Sequence, residues 1–332
     1  MAVYTDVGDV EIAAFIASYG LGEVVSFKGI AEGVENTNYL VETEQGRFIL
    51  TLYERRVNAA ELPFFLALME HLAGAGLNCP TPVRDLDGRN LRQLAQRPAA
   101  LVTFLDGLSV RRPTPDHCRE VGEAMARMHI AATDFAMTRP NSLGLADWQP
   151  LYERFAQRAN EIRPGLADLI ETELAFLETA WPRDLPQGVI HADLFPDNVF
   201  FLHDRLSGLI DFYFACTDAL AYDVAVCLNA WCFEPDGAFN ITKGHALLKG
   251  YDSVRSFSAD ERAALPILAR GAALRFLLTR AYDWINTPPD ALVKRKDPRE
   301  YVRRLGFHQT LRSATEYGLG PVGVVSGLAS DR

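Results

Sequence analysis

The 332-residue chain has no run of eighteen apolar residues, the length a helix needs to cross a bilayer. Its most apolar segment, GAALRFLLTRAYDWI, is shorter than that and carries two arginines. The amino-terminal MAVYTDVGDVEIAAF has neither a basic opening nor an unbroken apolar stretch, so no secretory signal is read and a cytoplasmic protein without membrane partners is expected. Positive charge is in deficit, with 33 Lys and Arg against 43 Asp and Glu, a formal net charge of −10. A nucleic-acid partner is therefore not expected, because phosphate-backbone binding needs a basic field. Cysteine is scarce: the five residues 79, 118, 216, 227 and 232 contain no CxxC pair and read as buried free thiols. The chain also lacks GxxxxGK[ST], HExxH and GxSxG, which removes the P-loop, zincin and nucleophile-elbow chemistries. One G-x-G-x-x-G match, Gly318 to Gly323, follows a helical pattern instead of a strand and contains a proline, so a dinucleotide-binding reading fails on context.

What is present suits a two-lobed soluble globule: 48% apolar residues, 23% charged, and enough length for two packed cores. A first helix is capped by Asp9 and carries Ile12, Phe15, Ile16 and Tyr19 at helical spacing until Gly20. From Val24 the period changes to two, and VVSFKG, NYLVET and RFILTLYE read as strands, with EQG as a turn. A helix over about 59–75 follows, then the short strands LRQLA and AALVTFL. Past Leu105 helical patterns dominate: about 115–130, from near Trp148, about 164–180, and 222 to about 317. They are interrupted by the apolar strands GVIH, NVFFL and GLIDF. The expected class is α+β. A small antiparallel N-lobe with one main helix spans 1–105, a larger helical C-lobe spans 106–317, and a loose tail takes 318–332.

The stretch His191-Ala-Asp193-Leu-Phe-Pro-Asp197-Asn198 lies between two of those apolar strands, and Asp211 falls inside LIDF. An acid among Leu, Ile and Phe needs a partner, since an unpaired buried carboxylate is costly. A hard Mg²⁺ ion is one such partner, taking one or two protein oxygens and completing its shell with phosphate and water. Asn198 and Asp211 can supply those oxygens, leaving Asp193 to accept a proton from a hydroxyl nucleophile. His191 reads as ordering this loop, and His129, at the end of REVGEAMARMH, as a packed or capping residue. Upstream, Gly29 and Gly33 open a polar loop, 29–38, whose backbone can approach a phosphate closely.

These residues resemble the aminoglycoside phosphotransferase/choline kinase family, which shares the protein-kinase-like fold, over nearly the whole chain. The resemblance implies ATP and Mg²⁺ as cofactors, Asp193 as the catalytic-loop aspartate, and Asn198 and Asp211 as the Mg²⁺ ligands. It further implies that residues 29–37, including Gly29, Gly33, Asn36 and Thr37, cover the ATP phosphates. Thr103-Phe104-Leu105 would be the adenine-binding hinge, and Asp223 in AYDVA would brace the catalytic loop. GVENTNY (33–39), FILTLYERRV (48–57), ELPFFLALMEHLA (61–73), RPNSLGLADW (139–148) and KDPREYVRRLGFHQ (296–309) are similar to one branch of the family. Members of that branch phosphorylate the small-molecule substrate L-homoserine on the way to threonine.

The sequence departs from the family pattern on the third strand, where Thr51 stands in place of the Lys or Arg that holds the α/β-phosphates. Glu61 can stand for the helix acid that pairs with that cation; Lys28, Arg55 and Arg56 are the basic residues near enough in sequence to compensate. The missing cation leaves room for a nucleotide-binding scaffold, and other acceptors of the fold are choline, ethanolamine, methylthioribose and aminoglycosides. An amino-acid acceptor needs a carboxylate partner, for which Arg275 and Arg280, with Trp284 nearby, are candidates. Its ammonium has candidates in Glu35, Asp197 and Asp218.

Overall fold

The computed structural model describes residues 5–30, 36–54, 58–287 and 295–320. Gly33, Glu35, Arg55, Arg56 and most of the expected tail lie outside these residues.

After helix α1 (Asp9–Ala17), five strands form one antiparallel sheet: β1 (Val24–Ile30), β2 (Thr37–Thr43), β3 (Gly46–Leu52), β4 (Arg92–Leu94) and β5 (Arg97–Thr103), in the order β1-β2-β3-β5-β4. Helix α2 (Leu62–Gly74) enters between β3 and β4, its proline at the second position where a missing N–H costs nothing. The period-two alternation of β5 shows how the sheet is used. Ala99 and Leu101 join Tyr39, Val41, Phe48, Leu50 and Leu52 against Ile12, Phe15 and Ile16 of α1. Ala100 and Val102 face the other way, into the core that contains Leu62, Phe65, Met69 and Leu72 of α2. The sheet is thus covered on both faces, by α1 as well as by the main helix. The core under α2 continues without a break into the C-lobe, so the lobes meet over apolar side chains as well as through the chain connection.

The C-lobe comprises α3 (Pro115–Ala131), α4 (Leu145–Glu153), α5 (Ala159–Ile162) and α6 (Leu166–Ala180). Two small antiparallel pairs follow, built from β6 (Gln187–Ile190), β7 (Val199–Leu202), β8 (Arg205–Leu209) and β9 (Cys216–Ala219). Helices α7 (Leu220–Trp231), α8 (Ile241–Val254), α9 (Ala259–Asn286) and α10 (Arg299–Thr310) complete it. β7 pairs with β8, and β6 with β9. The strand expected through GLIDF stops at Leu209, because Asp211 takes a left-handed backbone, φ 64° and ψ 61°. β9, CTDA, carries no apolar alternation and is a strand through its pairing with Val189 and Ile190. Helices α3 and α8 touch through glycine: a Cβ at Gly250 would overlap the carbonyl oxygen of Arg119, and one at Gly122 that of Leu247.

All five cysteines are buried and free. Burial pushes the thiols of Cys79 and Cys216 up to about 12, which keeps them protonated and inert. No described helix is long and apolar enough to cross a membrane.

Candidate active site

The loop after β6 is held from below by one carboxylate. Asp223, fully buried near the start of α7, accepts the backbone N–H of His191 on Oδ2 (2.9 Å) and that of Ala192 on Oδ1 (2.8 Å). Its Oδ2 also accepts Nε2–H of His129 at 3.1 Å, whose Nδ1 is engaged by the Tyr251 hydroxyl at 2.8 Å. Burial alone would raise the Asp223 carboxyl, but the hydrogen bond from His129 and the backbone N–H of His191 bring it below the usual carboxylate range. The brace is needed because Ala192 sits at φ 62°, a left-handed backbone that costs a residue with a Cβ about 1–3 kcal/mol. The Arg275 guanidinium caps the same residue from the far side by donating to the Ala192 carbonyl.

His191 ties this loop to the segment that carries Asp211. Its Nε2–H donates to the Ile210 carbonyl at 2.9 Å and its Nδ1 accepts the Asp193 backbone N–H at 3.3 Å, so the ring is neutral. Burial, which disfavours the charged ring, lowers its pKa in the same sense. Asn198 closes the arrangement. Its Nδ2 donates to the Asp193 carbonyl (2.8 Å) and to Asp193 Oδ2 (3.2 Å), and its own carbonyl accepts the Ile210 N–H at 3.0 Å. Asp193 and Asn198 therefore belong to one hydrogen-bonded unit that also holds the backbone of Ile210, the residue before Asp211. Asp211 is solvent-reachable, yet the surrounding protein desolvates its carboxylate enough to raise its pKa, against the lowering effects of His191 and the Tyr213 N–H. A carboxylate and an amide oxygen are the hard oxygen donors that suit a cation such as Mg²⁺. Among the described residues no three His, Cys, Asp or Glu side chains form a closed metal cage, so such an ion would draw most of its shell from phosphate and water.

The remaining expectations distribute differently. In the expected hinge, the N–H groups of Thr103 and Phe104 donate to the carbonyls of Thr81 (2.9 Å) and Arg47 (3.2 Å). Gly29 is exposed on β1 opposite Tyr39. The side chains of Asn36 and Thr37 are buried and work inside the lobe: Asn36 Oδ1 accepts the Glu54 N–H (3.4 Å), while the Thr37 hydroxyl donates to Glu54 (2.7 Å) and accepts the Thr5 N–H (3.1 Å).

The candidate substrate residues have partners within the protein. Arg275, Arg280 and Trp284 all lie on α9, but Arg275 and Trp284 are roughly 13 Å apart along its axis at 1.5 Å per residue. Arg275 is 2% exposed and is spent on the loop, against the rings of Phe276 and Phe214. Arg280 pairs with Glu300 at 2.8 Å over the Tyr301 ring. Trp284 is covered by the guanidinium groups of Arg295 and Arg299. Of the ammonium candidates, Asp218 already accepts Asn141 Nδ2 at 2.7 Å and Asp197 is exposed.

Three residues that the sequence reading gave no part in the site take one. His129 is packed, as its spacing indicates, and it also carries the second bond to Asp223. Tyr213, two residues past Asp211, shares a 2.9 Å hydroxyl bond with Tyr53 and stands edge-on to Phe65 of α2. Arg139 reaches from the segment before α4 to Glu61, Nε to Oε2, at 2.5 Å. The signal for Arg139 was its place in RPNSLGLADW; nothing local to that stretch names Glu61 as its partner.

The family model described as Phosphotransferase enzyme family matches residues 26–257. The homoserine kinase of Xanthobacter autotrophicus is 62% identical over 319 residues, covering 96% of this chain and 99% of that protein. That of Paramagnetospirillum magneticum is 63% identical over 325 residues, 96% of this chain and 100% of that protein. Among solved structures, an amicoumacin kinase in complex with AMP-PNP, Ca²⁺ and Ami superposes with a TM-score of 0.67 at 14% identity, over 91% of this chain and 94% of that one. The two-lobed α+β fold is that of the protein-kinase-like phosphotransferases, and the chain belongs to the phosphotransferase enzyme family.

Proposed function

We propose that this enzyme transfers the γ-phosphoryl group of ATP to the side-chain hydroxyl of L-homoserine, giving O-phospho-L-homoserine, a step toward threonine. The observation that carries the acceptor is the end-to-end likeness to curated homoserine kinases, above 60% identity across 96% of the chain. The bonds that join Asp193, Asn198 and Ile210 support the chemistry.

Mg²⁺–ATP supplies the phosphoryl group and the charge neutralisation that a loose, positioning-dominated transition state requires. Asn198 Oδ1 and the Asp211 carboxylate would hold the metal. With Asn198 Nδ2 turned to Asp193, its Oδ1 points the other way, and the left-handed turn at Asp211 lifts that carboxylate out of the strand. Asp193 orients the acceptor hydroxyl and takes its proton at a carboxylate oxygen late in the transfer. Its position is fixed by the Asn198 amide and by a backbone pinned through His191, Asp223 and Arg275. Asn198 thus touches both the metal position and the base, which keeps the two in register. An amino-acid acceptor also needs charges of both signs. Lys296, 5.7 Å above the Phe195 ring, and Asp218, beside Asn141, place one of each on elements adjoining the loop.

The test is a coupled ADP-release assay across L-homoserine, L-serine, choline, ethanolamine and methylthioribose. Turnover that depends on L-homoserine and Mg²⁺, and stops with chelator, is expected. A tenfold preference for any other acceptor overturns the assignment. ADP release indifferent to every acceptor would make the protein a nucleotide-binding scaffold.

A further inference from the structure

In the protein-kinase-like fold a strand lysine and a helix glutamate must pair for the phosphates to be held in place. Here the strand position is Thr51, fully engaged in neutral hydrogen bonds: its hydroxyl donates to Asn38 Oδ1 at 2.7 Å across the β2–β3 pair and lies within reach of Tyr213. The glutamate is nevertheless paired. Glu61 Oε2 receives Arg139 Nε at 2.5 Å, and its Oε1 receives Asn58 Nδ2 at 3.1 Å.

Arg139 comes from the C-lobe and does more than neutralise Glu61. Its Nη1 donates to the carbonyl of Ala215 at 3.2 Å, four residues past Asp211. Its backbone is locked to β9 from both sides: its N–H to Thr217 Oγ1 (3.3 Å) and its carbonyl to the Thr217 N–H (2.6 Å). Its guanidinium lies 5.1 Å from the Phe65 ring centre of α2, and Phe65 in turn packs on Tyr213. One side chain therefore joins the N-lobe helix to the segment that emerges from Asp211.

We propose that Arg139 is a positioning residue for phosphoryl transfer: by pairing with Glu61 and the Ala215 carbonyl it takes over, from the C-lobe, the tethering role that the third-strand cation has elsewhere in the fold. The geometry differs in consequence. A strand cation ties the helix to the nucleotide, whereas Arg139 ties the helix to the Asp211 turn, so that the N-lobe and the proposed metal-holding carboxylate move together.

The inference rests on the phosphoryl-transfer reading of the site, and Asp193→Asn serves as the control that separates the two. The variants are Arg139→Met, Arg139→Lys, Glu61→Gln and the double Arg139→Met/Glu61→Gln. The readouts are kcat, KM for ATP and for L-homoserine, calorimetric affinity for Mg²⁺–AMP-PNP, and the urea midpoint. Arg139→Met is expected to lower kcat about 10–100-fold, the range seen when a partner that orients a ligand set is lost. Nucleotide affinity should weaken as well, with KM for L-homoserine changed less than threefold. Arg139→Lys should recover part of kcat, and the double variant should be no worse than either single one. Glu61→Gln, which keeps size and fold, stands in if Arg139→Met does not fold. The proposal is overturned by kcat and nucleotide affinity both within twofold of wild type. It is equally overturned by a loss confined to the urea midpoint, or by a tenfold rise in KM for L-homoserine with kcat intact, which would make Arg139 an acceptor-binding residue. If Asp193→Asn is as active as wild type, it is the phosphoryl-transfer reading that fails.

Discussion

Asp223 Oδ2 and His129 Nε2 meet at 3.1 Å in a fully buried pair, and the same carboxylate holds two consecutive backbone N–H groups of the loop that contains Asp193. Helix α3, helix α7 and the loop are thereby one polar unit inside an apolar lobe. Removing one member of such a buried arrangement leaves the others unsatisfied. Asp223→Asn replaces one acceptor oxygen by a donor facing other donors. It is expected to cost about 3–5 kcal/mol of stability and to drop kcat more than tenfold, because Ala192 then loses what keeps its left-handed backbone. Urea denaturation and the ADP-release assay read the two effects. Full activity in a destabilised variant would show that the loop keeps its shape without the brace.

Asp193→Asn is nearly isosteric and leaves the backbone bonds to His191 and Asn198 in place. If the carboxylate takes the acceptor proton, kcat falls about 10²–10⁴-fold, the usual loss for a general base. Calorimetric affinity for Mg²⁺–AMP-PNP should stay within threefold. A variant with near-normal turnover would remove Asp193 from the chemistry.

The elements with a clean period were legible in sequence. The alternation of β2, β3 and β5, the Ile12/Phe15/Ile16 stripe of α1 and the long apolar helices each carry the signal within their own residues. The Asp193–Asn198 loop was legible too, since polar residues between two apolar strands require a reason. What sequence hid depends on distant partners. Arg139 and Glu61 are 78 positions apart, and nothing near either names the other. The α9 arginines show the converse: on an apolar helix they read as ligand-seeking cations, yet Arg275 donates to the Ala192 carbonyl and Arg280 pairs with Glu300, groups that only the folded chain brings within reach. The side chains of Asn36 and Thr37 sit in a stretch that reads as phosphate-binding but serve the lobe itself, because Glu54 folds back onto them.

His308 sets a pH dependence of stability. It is fully buried, its Nε2–H donates to Asn229 Oδ1 (3.1 Å), and its Nδ1 accepts the Tyr317 hydroxyl (2.8 Å), an arrangement for the neutral ring. Burial, followed by the charges of Arg304 and Arg270, lowers its pKa to about 3. The unfolded chain takes up the proton near 6.5, so its contribution is constant above that pH and stability falls as pH drops from about 6.5 toward 3. The slope due to this residue is at most about 1.4 kcal/mol per pH unit. His308→Gln should be less stable at neutral pH and show a flatter decline between pH 6.5 and 4.5 in urea titrations. Parallel profiles for the two proteins would assign the acid sensitivity elsewhere.

The α3–α8 contact links packing to the site. Gly122 and Gly250 let the helices touch backbone to backbone, and α3 carries His129 while α8 carries Tyr251, whose hydroxyl meets His129 Nδ1 at 2.8 Å. A methyl group at Gly250 cannot be absorbed by a side-chain rotation, since it meets the carbonyl of Arg119, so the helices must part. Overpacking of this kind costs about 1–3 kcal/mol. Separation of the helices also pulls Tyr251 from His129 and loosens the hold of His129 on Asp223, so Gly250→Ala is expected to lower kcat along with stability. Tyr251→Phe distinguishes the routes: it keeps the helix spacing and removes only the hydroxyl. If Tyr251→Phe retains full activity while Gly250→Ala loses it, helix spacing acts on the loop by a path other than the His129–Asp223 pair. Loss in both places that pair on the route from the helix contact to Asp193.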